Sequence, residues 1–181
     1  MTNKKKKHKA STLAALLEEK PRRGRPRHAV SRQNVYVALS PAQKTQMDQL
    51  ADRLPPSLSR ADLADLAVTT LTVRLEALRR AVADRNREIP EGVTDFESLY
   101  LLWDLPLPEE EKSKWTSIRV SPQQAIELGR VHGTLHAIFG ANRSQTFSLA
   151  LALLSQFLHT KSLPKQVTLD QARQKISQVY L

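Results

Sequence analysis

The residues with the clearest chemistry in this sequence are arginines. Arg22, Arg23, Arg25 and Arg27 crowd into six positions, and Lys4 to Lys7 precede them. Met1 to Gln33 carries eleven Lys or Arg against Glu18 and Glu19, a net of +9, while the seventeen basic and sixteen acidic residues that follow leave +1. A guanidinium stays protonated and offers a fork of donors, so arginines without neighbouring acids bind polyanions and do not exchange protons. Arg60 and Arg143 each follow a residue suited to start a helix, Ser59 and Asn142. His132 and His136 stand four apart, a spacing that can hold a metal, but no cysteine exists and no carboxylate completes a local set. They read as a polar face or a partner contact, and no metal or cofactor is expected. A Gly-rich phosphate loop and a His–Asp–Ser set in recognisable context are both missing, so the chain is not read as an enzyme.

Those side chains need elements to hold them. Val35, Val37 and Leu39 alternate with Asn34, Tyr36 and Ala38, the period of a strand buried on one face. Ser40 then offers an N-cap oxygen and Pro41 suits the first helical position. Eighty-one positions later the design returns: Ile118 and Val120 inside, Ser117 and Arg119 outside, and Ser121-Pro122. The second strand is read from Thr116. One short strand cannot persist without a ladder partner, so the two are expected to pair.

With 40% hydrophobic but only 5% aromatic residues, the core is expected to be helical, built from Leu, Ala, Val and Ile. A first helix is placed over 41–54, with Met47, Leu50 and Leu54 inward and Pro55-Pro56 ending it. Ser59 and Asp62 suggest a cap for a longer helix striped by Leu63, Leu66, Ala67, Thr70, Leu71, Leu75 and Leu78. Ile89-Pro90-Glu91-Gly92 is a turn, Thr94 with Glu97 forms a capping box, and Phe96, Leu99, Tyr100 and Trp103 share the face of a short docked helix. Leu128, Val131, Leu135 and Ile138 stripe a helix over 122–139 that stops at Gly140. Asn142 caps the next, running to about 159, whose Leu149 and Leu153 make it apolar on both sides and point to an extra interface. A last helix over 168–181 groups Ala172, Ile176, Val179 and Tyr180. Ser11 to Glu19 could form a brief helix in an otherwise disordered arm.

Strand, Ser-Pro helix start, turn and second helix, twice over, resembles the ribbon-helix-helix DNA-binding fold of Arc, MetJ and CopG-type repressors. The resemblance covers about 34–82 and 115–159. It implies a mainly α protein with two ribbon-helix-helix units in one chain, a two-stranded antiparallel ribbon plus helix pairs. The expected division is a basic flexible arm over 1–33, unit 1 over 34–85, a connector over 86–114, unit 2 over 115–160 and a tail helix over 161–181. The family's ribbon enters the major groove. The resemblance therefore implies base contacts from Asn34, Tyr36, Ala38, Ser117 and Arg119, with Trp115 at the edge. It implies phosphate contacts from Ser59, Arg60 and Ala61 and from Asn142, Arg143 and Ser144, where exposed amides and the positive helix end attract anions. Within the arm, Arg23-Gly24-Arg25-Pro26, followed by Arg27, is similar to an AT-hook. Gly permits close approach, Pro keeps the chain extended, and two arginines can enter a narrow A·T-rich minor groove.

These features lead to an expectation of sequence-specific binding to double-stranded DNA, with transcriptional repression implied by the resemblance alone. Plasmid partition or relaxosome accessory roles and antitoxins use the same scaffold. A rival of another class is a protein interaction module docking through the apolar C-terminal half. Pairing of the two strands within one chain is preferred, with self-association through the second unit. Leu13 to Leu17 is too short for a signal peptide and Glu18-Glu19 interrupt it, so no membrane partner and a cytoplasmic, nucleoid-associated location are expected.

Overall fold

Alternation at Val35, Val37 and Leu39 produces a strand, β1 (Gln33–Leu39), and its partner is β2 (Lys114–Val120). The computed structural model describes residues 31–83, 92–108 and 112–181. The strands pair antiparallel within the chain, Asn34 opposite Arg119, Val35 opposite Ile118 and Val37 opposite Thr116. β2 thus begins before Thr116, which is half-buried on the inner face. A polar residue is tolerated there because the hydrophobic contact is carried by its neighbours: Val37, Leu39, Ile118 and Val120 are all buried.

Six helices occur among the described residues: α1 (Pro41–Arg53), α2 (Asp62–Ala83), α3 (Ser98–Leu102), α4 (Pro122–Phe139), α5 (Arg143–Thr160) and α6 (Leu169–Tyr180). The chain is therefore mainly helical with one small antiparallel sheet. The order strand, helix, helix occurs on both sides of α3. α2 is central and packs on α5, α6, α4 and β2. Leu63, Leu66, Leu71, Leu149, Leu151, Leu153 and Leu154 are fully buried among these helices. Each such side chain contributes roughly 1.5–3 kcal/mol of transfer free energy.

Local chemistry accounts for most helix ends. Ser40 accepts from the Gln43 amide at 3.2 Å while Gln43 Oε1 accepts from the Ser40 amide at 2.9 Å, a complete capping box. Asn142 and Gln145 repeat it, as do Thr168 and Gln171. Gly140 closes α4 at φ 68°, a conformation that Cβ-bearing residues resist.

Four expectations change. The short α3 uses Asp95, not Thr94: Asp95 Oδ1 accepts from the amide and hydroxyl of Ser98, and these bonds hold its carboxyl below the usual range. At the start of α2 the roles are reversed, since the amide and hydroxyl of Ser59 both donate to Asp62 Oδ2 at 2.7 Å. Leu149 and Leu153 need no external partner, because α2 and the body of the chain already bury them. Val179 and Ile138 lie outside the core, 39% and 53% exposed. Phe96, Leu99, Tyr100 and Trp103 are buried, and Gln156 donates to the Trp103 carbonyl at 2.7 Å, so this part of the connector is docked. Arg74 on α2 stacks between Trp103 and Tyr180, with its guanidinium carbon 5.4 and 4.7 Å from the ring centres.

Ser11 to Glu19, the arginine cluster Arg23 to Arg27 and most of the Ile89-Pro90-Glu91-Gly92 turn fall outside the described residues. Among the described residues no helix is long and apolar enough to cross a membrane.

Candidate nucleic-acid interface

A strand pair sealed on one face leaves the other to solvent. Its outward positions are Asn34, Tyr36 and Ala38 on β1 and Trp115, Ser117 and Arg119 on β2. The register brings all six together as three cross-strand pairs: Asn34 with Arg119, Tyr36 with Ser117, Ala38 with Trp115. Tyr36 is 64% and Trp115 75% exposed, Asn34, Ser117 and Arg119 are exposed, and Ala38 is half-buried. Two large rings thus stand in water on the ribbon's outer face, where an aromatic of that size usually finds cover in the core.

A depression borders the ribbon on each side. One, about 610 Å³, runs from Thr116–Arg119 to Ser59, Arg60 and Ala61 at the start of α2. The other, about 700 Å³, runs from Tyr36, Ala38 and Trp115 to Asn142, Arg143 and Ser144 at the start of α5. The structure therefore brings each helix start to one flank of the ribbon.

The two starts differ in charge. α5 has no acid in its first turn. Its capping box engages the Asn142 and Gln145 amides, so Arg143 and Ser144 supply the outward amides, with the exposed Arg143 side chain beside them. Ser144 also ties the helix to the ribbon, its Oγ accepting from the Ala38 amide at 2.8 Å. His132 lines the same depression, and burial, then Arg143, then His136 hold its imidazole below the ordinary histidine value. At α2, by contrast, Asp62 and Asp65 occupy the first turn, Ser59 is engaged by Asp62, and Arg60 pairs with Asp48. That end already holds anionic groups of its own.

Those acids belong to a cluster that sequence reasoning missed. Arg32, counted among the arm's charges, has a side chain only 9% exposed. It donates to the Ala61 carbonyl and pairs with Asp62, and its guanidinium lies 3.1 Å from Asp65 Oδ2. Arg173 on α6 approaches the same oxygen at 3.3 Å and donates to Ser121 Oγ at 3.1 Å. Ser121, the N-cap of α4, consequently makes no side-chain cap bond, unlike Ser40: its side chain accepts from Arg173 and its amide donates to Asp65 Oδ1 at 2.8 Å. Burial pushes the Asp65 carboxyl up, and the Ser121 amide, Arg32 and Arg173 oppose it. A signal was present: an acid between Leu63 and Leu66, inside an apolar stripe, requires buried partners.

His132 and His136 have ring centres 5.8 Å apart, and His136 Nδ1 is 3.3 Å from the Ala141 carbonyl. No group of three metal-ligating side chains occurs among the described residues. Set beside protein-family models, curated proteins and solved structures, the chain has no match in any of the three.

Proposed function

We propose that this chain is a sequence-specific double-stranded DNA-binding protein, a transcriptional regulator built from two ribbon-helix-helix units that pair within one polypeptide. The observation that carries the reading is the single outward face of three cross-strand pairs, flanked on both sides by a helix start. A two-stranded ribbon of this width suits the major groove of B-DNA, and the helix starts lie where the bordering phosphates would run. Arg119 and Asn34 have the donors to read base edges, Arg143 and the amides of α5 those to hold a phosphate. The arginines of 23–27 suit a minor-groove contact, and the net +9 of residues 1–33 raises affinity for any duplex.

Fluorescence anisotropy with labelled duplexes, titrated at increasing salt, tests this. Each neutralised phosphate contributes about −0.9 to the slope of log K against log salt, so a steep decline is expected. A flat response would instead leave the chain a protein interaction module.

A further inference from the structure

The ribbon's outer face is chemically lopsided. At one end Asn34 faces Arg119, an amide against a guanidinium, both exposed. At the other Ala38 faces Trp115, a methyl against an indole. Tyr36, opposite Ser117, forms the central pair between these ends, so the second exposed ring adjoins the apolar end.

Exchanging the two strands makes the contrast sharper. The eighty-one-residue offset that superposes Ser40 on Ser121 sets Asn34 against Trp115, Tyr36 against Ser117 and Ala38 against Arg119. In each case a hydrogen-bonding or aromatic group replaces one of different chemistry. A ribbon that read a palindrome would carry like groups at these positions, and this one carries none.

The flanks are unlike in the same direction. Arg32, at the hydrogen-bonding end, is locked beside Ala61 and donates to the Arg119 carbonyl at 3.4 Å, and the basic chain precedes it in sequence. That preceding chain holds ten of the arm's basic residues. β2, whose first residues lie at the apolar end, is preceded in sequence by Glu109, Glu110 and Glu111.

Resting on the reading of the protein as a duplex binder, we infer that its target is a non-palindromic site bound in one orientation. Purine acceptor edges lie under Asn34 and Arg119, and thymine methyl groups under Trp115, Tyr36 and Ala38. An arginine fork matches guanine O6 and N7, an asparagine matches adenine N6 and N7, and an apolar side chain gains only from the thymine methyl. Asn34 to Ala38 spans about 13 Å of strand, enough for roughly four base-pair steps.

Full-length protein would select duplexes from a random-sequence library, and the selected DNA would be remade with uracil for thymine or 7-deazaguanine for guanine, one position at a time. The inference expects a non-palindromic core. At one end each lost methyl lowers affinity about fourfold, the transfer value of one such group. That loss disappears in Trp115→Ala and persists in Arg119→Ala, while 7-deazaguanine at the opposite end shows the converse. Both side chains are exposed, so neither variant disturbs the core. A palindromic core, indifference to uracil, or a uracil effect that survives Trp115→Ala would each overturn the inference while leaving DNA binding intact. Failure to enrich any duplex would instead remove the functional reading beneath it.

Discussion

The amide of Ser121 donates to Asp65 Oδ1 at 2.8 Å, which joins the end of β2 to a carboxylate with no exposed surface. The other oxygen, Oδ2, lies within ion-pair distance of Arg32 and Arg173 without a hydrogen bond from either. One carboxylate thus holds the first strand's approach, the second strand's end and the C-terminal helix in register.

Removing that carboxylate strands two guanidiniums in a place they cannot leave. Asp65→Ala is expected to destabilise the fold by about 3–5 kcal/mol, the range for breaking a buried pair from one side. Asp62 and Asp170 still neutralise part of the charge, which places the loss toward the lower end. Asp65→Asn keeps an acceptor for Ser121 and should lose less. Urea unfolding of the three proteins measures the difference; an Asp65→Ala midpoint equal to wild type would mean that the cluster carries no coupling.

Ser144 pins the ribbon to α5 by one bond, from the Ala38 amide at 2.8 Å. Ser144→Ala leaves that amide without its acceptor, at a cost of about 1–3 kcal/mol where water cannot substitute. The local readout is amide hydrogen exchange. Ala38 should exchange faster in the variant, and exchange unchanged at Ala38 would show that water takes the place of the hydroxyl.

Arg119 and Arg143 are assigned different jobs on the DNA, and their variants should fail differently. Arg119→Ala is expected to cost about 1–3 kcal/mol at one base position and to relax preference there. Arg143→Ala should weaken every duplex alike and reduce the salt slope by about 1. Binding measured on a panel of single-base variants at several salt concentrations separates them. Equal loss on all sequences for Arg119→Ala would make it a phosphate contact.

On the DNA-binding reading, His132 should link affinity to pH. Its pKa lies below the ordinary value in the free protein through burial, Arg143 and His136. A phosphate seated at the start of α5 would offset the Arg143 charge and raise that pKa, so binding takes up a proton. Affinity should then rise as pH falls through the ordinary histidine range and level off below the free protein's pKa. His132→Asn should flatten this profile. An unchanged profile in that variant would assign the pH response to another group.

Much of the local structure was legible because its causes lie within a few residues. Alternation at Val35, Val37 and Leu39 gave a strand, Ser40 and Pro41 started a helix, and Gly140 supplied the left-handed turn that stops α4. Where several neighbours could serve one role, the pattern could not choose: Asp95 took the cap that Thr94 suited equally well. The six outward residues were legible too, since a period of two assigns them to one face once the strand is placed.

Composition, periodicity and spacing determined which residues form strands and helices, which stripe of each is apolar and where the basic charge lies along the chain. Only the tertiary structure decided what covers each stripe. It buried both sides of α5 within the chain, left Val179 and Ile138 outside, and turned Arg32 from a free charge into a buried anchor. The reason is physical: a periodic pattern states that a face must be buried and is silent about the partner. Arg32, Asp65, Ser121 and Arg173 are far apart in sequence, and their meeting depends on how the helices pack around α2.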